Sequence, residues 1–83
     1  SMSDTLTTLS DYICKDLLKQ PNRSLTAADV LLSSGLIDSF HLVDLATFVE
    51  DTFGVLIADY ELTPDTFDTL GQLADLIAAR QAK

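Results

Sequence analysis

Gly35-Leu36-Ile37-Asp38-Ser39-Phe40-His41-Leu42-Val43-Asp44-Leu45 decides how the rest of the chain is read, because a glycine-bearing loop runs there straight into an amphipathic pattern. Asp38 has the chemistry of an N-cap: its carboxylate can accept from first-turn backbone N–H groups that lack an intrahelical partner. Ser39 is then the first helical residue. From there Leu42, Leu45, Val49 and Phe53 recur at helical spacing until Gly54 stops the segment. This stripe is expected to face a core and to leave Ser39 outside it.

On the N-terminal side, residues 21–38 form a long connection, and such length in a small domain needs a reason. Leu25, Val30, Leu32, Leu36 and Ile37 are expected to tuck it onto the helices, with a short helical turn at 26–31. Before it, Asp4 or Ser3 can cap a first helix in which Leu6, Leu9, Ile13 and Leu17 repeat the spacing of the central one. Lys15 and Lys19 suit the negative end of its dipole, and Gln20 before Pro21 stops it. Cys14 lies beside the apolar stripe and reads as a small half-buried apolar residue rather than a reactive thiol.

On the C-terminal side, Val55-Leu56-Ile57 is apolar and partly β-branched, yet a lone strand cannot satisfy its backbone. An extended segment leading into a short helix near 59–62 is expected. Thr63-Pro64 offers a turn or a first helical position. Thr69 and Gln72 have the spacing of a capping box for a last helix, in which Leu70, Leu73, Ala74 and Ile77 form the buried stripe. Arg80 and Lys83 suit its C-terminal end.

Eighty-three residues with 47% hydrophobic composition and only three glycines and two prolines fit one compact helical domain spanning 1–83, structured over about 5–80. A chain of this size buries only about 60–65% of its unfolded surface, which leaves no room for a deep catalytic cleft. Ser1 before Met2 reads as the remnant of a cleaved tag, with Met2 as the natural start of a free-standing protein. One cysteine excludes an internal disulfide and a cysteine-based metal site, in keeping with a reducing compartment. No apolar run reaches spanning length, so a cytoplasmic location is expected.

The net charge of −8 is unevenly placed: 24–79 hold no Lys or Arg but ten acids. Such a field repels phosphate backbones and anionic lipid heads and attracts basic protein surfaces. Nucleic acid and membrane are therefore not the expected partners, and the chain is expected to be a monomer.

The stretch Gly-Leu-Ile-Asp-Ser-Phe at 35–40 resembles the Asp-Ser-Leu attachment motif of acyl carrier proteins. The similarity continues through an acidic helix, the Phe53-Gly54-Val55 ending and the Leu62-Thr63-Pro64-Asp65-Thr66-Phe67-Asp68-Thr69 stretch, and covers roughly 5–80. The resemblance implies an all-α, small four-helix bundle with a long loop between helices 1 and 2 and a short third helix. It implies that Ser39 bears a covalent 4'-phosphopantetheine arm, whose thiol holds acyl or aminoacyl intermediates as thioesters. It further implies that Asp38 is part of the site read by a metal-dependent phosphopantetheinyl transferase. The remaining partners would be an acyl- or aminoacyl-loading ligase and downstream synthase or transferase enzymes.

The residues themselves agree with a carrier rather than a catalyst. His41 invites a Ser-His-Asp reading, but positions two apart on a helix point to different sides, so His41 is expected to be a solvated flanking residue. No phosphate-binding loop, nucleophile elbow or metal-ligand spacing appears. Opposite the buried stripe, Phe40, Val43 and Thr47 form a second, semi-apolar line beside Asp44, Glu50 and Asp51, a plausible docking face for a brief protein contact. By resemblance, Phe40, Val43, Asp44, Thr47 and Glu50 fall at recognition positions, with Phe40 in place of the commonest Leu and Thr47 where many fatty-acid carriers have a bulky apolar residue. Polyketide intermediates are equally permitted as cargo. The competing reading is an unmodified acidic adaptor whose Ser39 stays bare.

Overall fold

The computed structural model describes residues 1–82. It contains α1 (Met2–Tyr12), continued by a π-helical turn (Ile13–Leu17), then α2 (Ser39–Phe53), a 3-10 turn (Asp59–Glu61) and α3 (Leu70–Gln81). The all-helical expectation holds, and no strand occurs among the described residues. The four-helix layout does not: three α-helices are found, and a single 3-10 turn stands where a short third helix was expected. That turn closes with i→i+3 bonds, Glu61 N–H to Ala58 O at 2.9 Å and Leu62 N–H to Asp59 O at 3.2 Å. Pro64 disfavours helical geometry at Thr63, so the segment has no length in which to become an α-helix.

Helix α1 starts earlier than the sequence suggested. Ser1, not Ser3 or Asp4, is its N-cap, with the Ser1 hydroxyl accepting the Asp4 N–H at 3.4 Å. The Asp4 carboxylate is free to lie 3.6 Å from the chain's amino group. In the π turn Leu18 N–H reaches back to Ile13 O at 2.9 Å. The chain then reverses through Lys19, at a left-handed φ of 57°, before Pro21. Cys14 is fully buried rather than half-buried.

The long connection is pinned at several points. The buried Ser10 hydroxyl accepts the Leu25 N–H at 2.8 Å, which ties the loop to α1. In place of the expected helical turn over 26–31 there is one tight turn, with Asp29 Oδ2 accepting the Thr26 N–H at 2.6 Å. Val30 then pairs antiparallel with Thr69 in an isolated bridge, through Leu31 N–H to Asp68 O at 2.6 Å and Leu70 N–H to Asp29 O at 3.0 Å. Extended pairing alternates the side chains, so Leu31 is buried while Val30 points outward, against the expectation for Val30. Leu25 and Ile37 are buried, with Leu32 and Leu36 packed partly against the core. Gly71 permits this close approach: its N–H reaches Ala27 O at 2.9 Å, and a Cβ there would sit 3.1 Å from that same oxygen.

The core joins Leu9, Ile13, Leu45, Val49, Leu73 and Ile77 from all three helices, with Phe67 from the loop before α3 as its largest fully buried side chain. Sequence reasoning did not place Phe67 or Leu31 there. Tyr12 stacks on Phe48, ring centroids 3.9 Å apart, and its hydroxyl donates to Asp44 O at 3.2 Å, fastening α1 to α2. Burial raises the Tyr12 pKa, as do the charges of Asp44 and Asp16. After Gly54, whose φ of 70° ends α2, Val55 and Ile57 point into the core and Leu56 points out, as an extended segment requires. No helix among the described residues is long and apolar enough to cross a membrane.

Candidate functional site

Asp38 caps α2 as expected. Its backbone is extended, its Oδ1 accepts the His41 N–H at 2.8 Å, and its carbonyl accepts the Leu42 N–H at 3.0 Å. Ser39 is the first helical residue and is exposed. Of the first-turn donors, only the His41 N–H is taken by the cap, which leaves those of Ser39 and Phe40 directed off the helix end. A 15-residue helix places the positive end of its dipole at the same point.

His41 departs from the expectation of a solvated residue. It is half-buried, and its Nδ1 is shielded from solvent at 3.5 Å from Asp38 Oδ1 without a hydrogen bond. The helix turn brings residues three apart together, so the imidazole folds back over the cap. No hydrogen bond joins His41 to Ser39 among the described residues, and the two side chains form no nucleophile–base pair.

A groove of about 350 Å³ opens beside Ser39, lined by Ser39, Leu42 and Val43 of α2 and by Asp59 and Leu62 of the 3-10 segment. No pattern in the sequence pointed to it, since Asp59 and Leu62 are brought there by the fold. Along α2 the second line is exposed: Phe40 is 83% and Val43 58% accessible, and Asp44, Thr47 and Glu50 are exposed with them. Thr47 Oγ1 donates to Val43 O at 3.2 Å, which turns its hydroxyl onto the helix. No group of three or more potential metal ligands occurs among the described residues.

A family model described as phosphopantetheine attachment site matches residues 6–77. The chain belongs to this family. Its cofactor is covalent 4'-phosphopantetheine, and its role is that of a phosphopantetheine-bearing carrier. Carrier domains of the family work with phosphopantetheinyl transferases and biosynthetic enzymes in general. No curated protein and no solved structure matches the chain.

Proposed function

We propose that Ser39 carries the phosphopantetheine arm and that the chain, as one carrier domain, holds acyl or aminoacyl intermediates for delivery to partner enzymes. The observation that carries this reading is the exposed Ser39 hydroxyl at the capped N-terminus of α2. The residues there fit the group. A phosphodiester on Ser39 would meet the unengaged N–H groups of Ser39 and Phe40 and the positive helix end, the usual setting for an anion. The arm supplies a terminal thiol, the site of the thioester. The protein's part is to present and orient it.

The same geometry favours a passive carrier over an enzyme. A serine nucleophile would need a base paired with it, and the chain's one imidazole is turned onto Asp38 instead. Asp38 holds the helix end in register, and with it the oxygen that a transferase must reach. Partner enzymes are read as docking on Phe40, Val43 and Thr47 with Asp44 and Glu50 at the rim, an exposed apolar line in an acidic setting that suits a basic surface. A loading ligase and downstream synthase or transferase enzymes are the partners of this reading, and the cytoplasm is its setting.

Intact mass after treatment with a phosphopantetheinyl transferase and coenzyme A tests the proposal. One arm-sized increment, absent in Ser39→Ala, is the expected result; no increment would favour the bare acidic adaptor. Mass spectrometry of the protein isolated from its native cell then reads the cargo as acyl, polyketide or aminoacyl.

A further inference from the structure

The groove beside Ser39 has two unequal walls. One is α2, a regular helix with Leu45 and Val49 in the core. The other is the short segment carrying Asp59 and Leu62, and a single 3-10 turn has little stability of its own. Its position must be set from outside.

Beside the core packing of Ile57 and Leu62, Arg80 of α3 reaches it from outside. Its Nη1 donates to Leu56 O at 2.8 Å, just before the turn, and to Glu61 Oε1 at 3.0 Å, within it. Its Nη2 pairs with Glu61 Oε2, completing a two-pronged contact. Glu61 Oε1 also accepts the Ala58 N–H at 3.0 Å, so the same carboxylate closes the turn on itself. Both side chains are sheltered, 30% and 19% exposed, which makes the pair less screened than an ordinary surface bridge. No Arg or Lys occurs in 24–79, so Arg80 is the first cation in the sequence after Arg23.

We propose that the Arg80–Glu61 pair is a positioning device that sets the Asp59–Leu62 wall of the groove, against which the arm on Ser39 rests. This builds on the attachment reading above. The arm presents a pair of geminal methyls, a hydroxyl and two amides. Leu42, Val43 and Leu62 offer an apolar surface to the methyls, and the Asp59 carboxylate offers an acceptor to the hydroxyl or an amide N–H. With the wall in place, the arm has a resting position on the protein. Without it, the arm extends into solvent.

The test compares wild type with Arg80→Gln, Glu61→Gln and Arg80→Lys by nuclear magnetic resonance. In the unmodified proteins, hydrogen exchange of the Glu61 and Leu62 amides reads the turn directly. Each glutamine variant should lose protection there by about tenfold or more, while the Leu45 and Leu73 amides stay protected, and Arg80→Lys should restore part of the loss. In the protein carrying the arm, nuclear Overhauser contacts from the geminal methyls to Leu62 should appear in wild type and vanish in the glutamine variants. Unchanged turn protection in both glutamine variants overturns the proposal. So does an absence of arm contacts in wild type once peptide mapping has placed the arm on Ser39. If mapping places the arm elsewhere, it is the attachment reading that fails, and the exchange result on the unmodified protein still decides what Arg80 does. Should Arg80→Gln fail to fold, the near-isosteric Glu61→Gln carries the same comparison.

Discussion

Asp68 grips Ser33 twice across 35 positions of chain: Oδ1 accepts its backbone N–H at 2.8 Å and Oδ2 accepts its hydroxyl at 2.5 Å. Oδ1 also accepts the Leu32 N–H at 3.2 Å, so one carboxylate holds the loop that leads into Gly35 and the α2 cap. The Ser33 hydroxyl, followed by the Ser33 N–H, holds the Asp68 carboxyl below the usual carboxylate range. The neighbouring Ser34 hydroxyl is likewise engaged, donating to Val30 O at 2.6 Å.

These contacts sharpen the choice of modified serine. Only Ser39 is expected to accept the arm, because the Ser33 and Ser34 hydroxyls are tied into the loop's own hydrogen bonds and neither stands at a helix start. Peptide mapping of the modified protein checks this. An arm on Ser33 or Ser34, or one that survives Ser39→Ala, would refute it.

Stability should separate from function along α2. Leu45 is 1% exposed and its truncation leaves a cavity, so Leu45→Ala should cost about 2–5 kcal/mol. Ser39 is exposed and its hydroxyl makes no hydrogen bond among the described residues, so Ser39→Ala should change stability by less than about 1 kcal/mol. Chemical denaturation of the two variants gives the comparison directly, and equal losses would contradict it.

Acid should release the clamp on the 3-10 turn. Hydrogen bonding from Arg80 is the main reason that the Glu61 pKa is lowered from the ordinary 4.5 to about 2, with the Ala58 N–H adding to it. A group whose folded pKa lies below its unfolded one stabilises the fold above the unfolded value and loses that contribution as pH falls through the folded value. The Glu61 contribution is therefore complete above about pH 4.5 and is lost between there and about pH 2. Asp68, shifted in the same direction, adds to the loss in acid. Melting curves across this range should flatten in Glu61→Gln, and a variant curve parallel to wild type would count against the pair.

Charge on the docking line should govern encounter more than folding. Asp44 and Glu50 are exposed and off the core stripe, so Asp44→Lys and Glu50→Lys should slow association with a basic loading enzyme while leaving the melting transition nearly unmoved. Screening over roughly 10 Å at 0.1 M salt should shrink the difference as salt rises. Association rates over a salt series decide it: variants that bind as fast as wild type at low salt would leave the acidic face a solubility device.

The elements legible from the sequence were those fixed by neighbours in the chain. The Asp38 cap, the Ser39 helix start, the Gly54 stop and the Thr69–Gln72 capping box all depend on contacts within a turn or so, and all four are present. The apolar spacing of Leu45 and Val49, and of Leu73 and Ile77, likewise named the buried faces, because helix geometry alone decides which residues share a side. Tertiary structure decided the rest. Leu31 is buried and Val30 exposed because the loop pairs with Thr69, a partner far along the chain. Phe67 fills the core from a loop where no periodicity could announce it. His41 folds over the cap, and Lys83, which suited the end of α3 by charge, lies outside the described residues. Arg80 also suited that end by charge, yet the fold gives it Glu61 and Leu56 as partners, 19 and 24 positions away. Local propensity and capping set where helices begin, end and face, whereas the groove beside Ser39 depends on tertiary contacts, the core packing of Ile57 and Leu62 and the Arg80 bonds to Leu56 and Glu61 among them, that bring Asp59 and Leu62 to it.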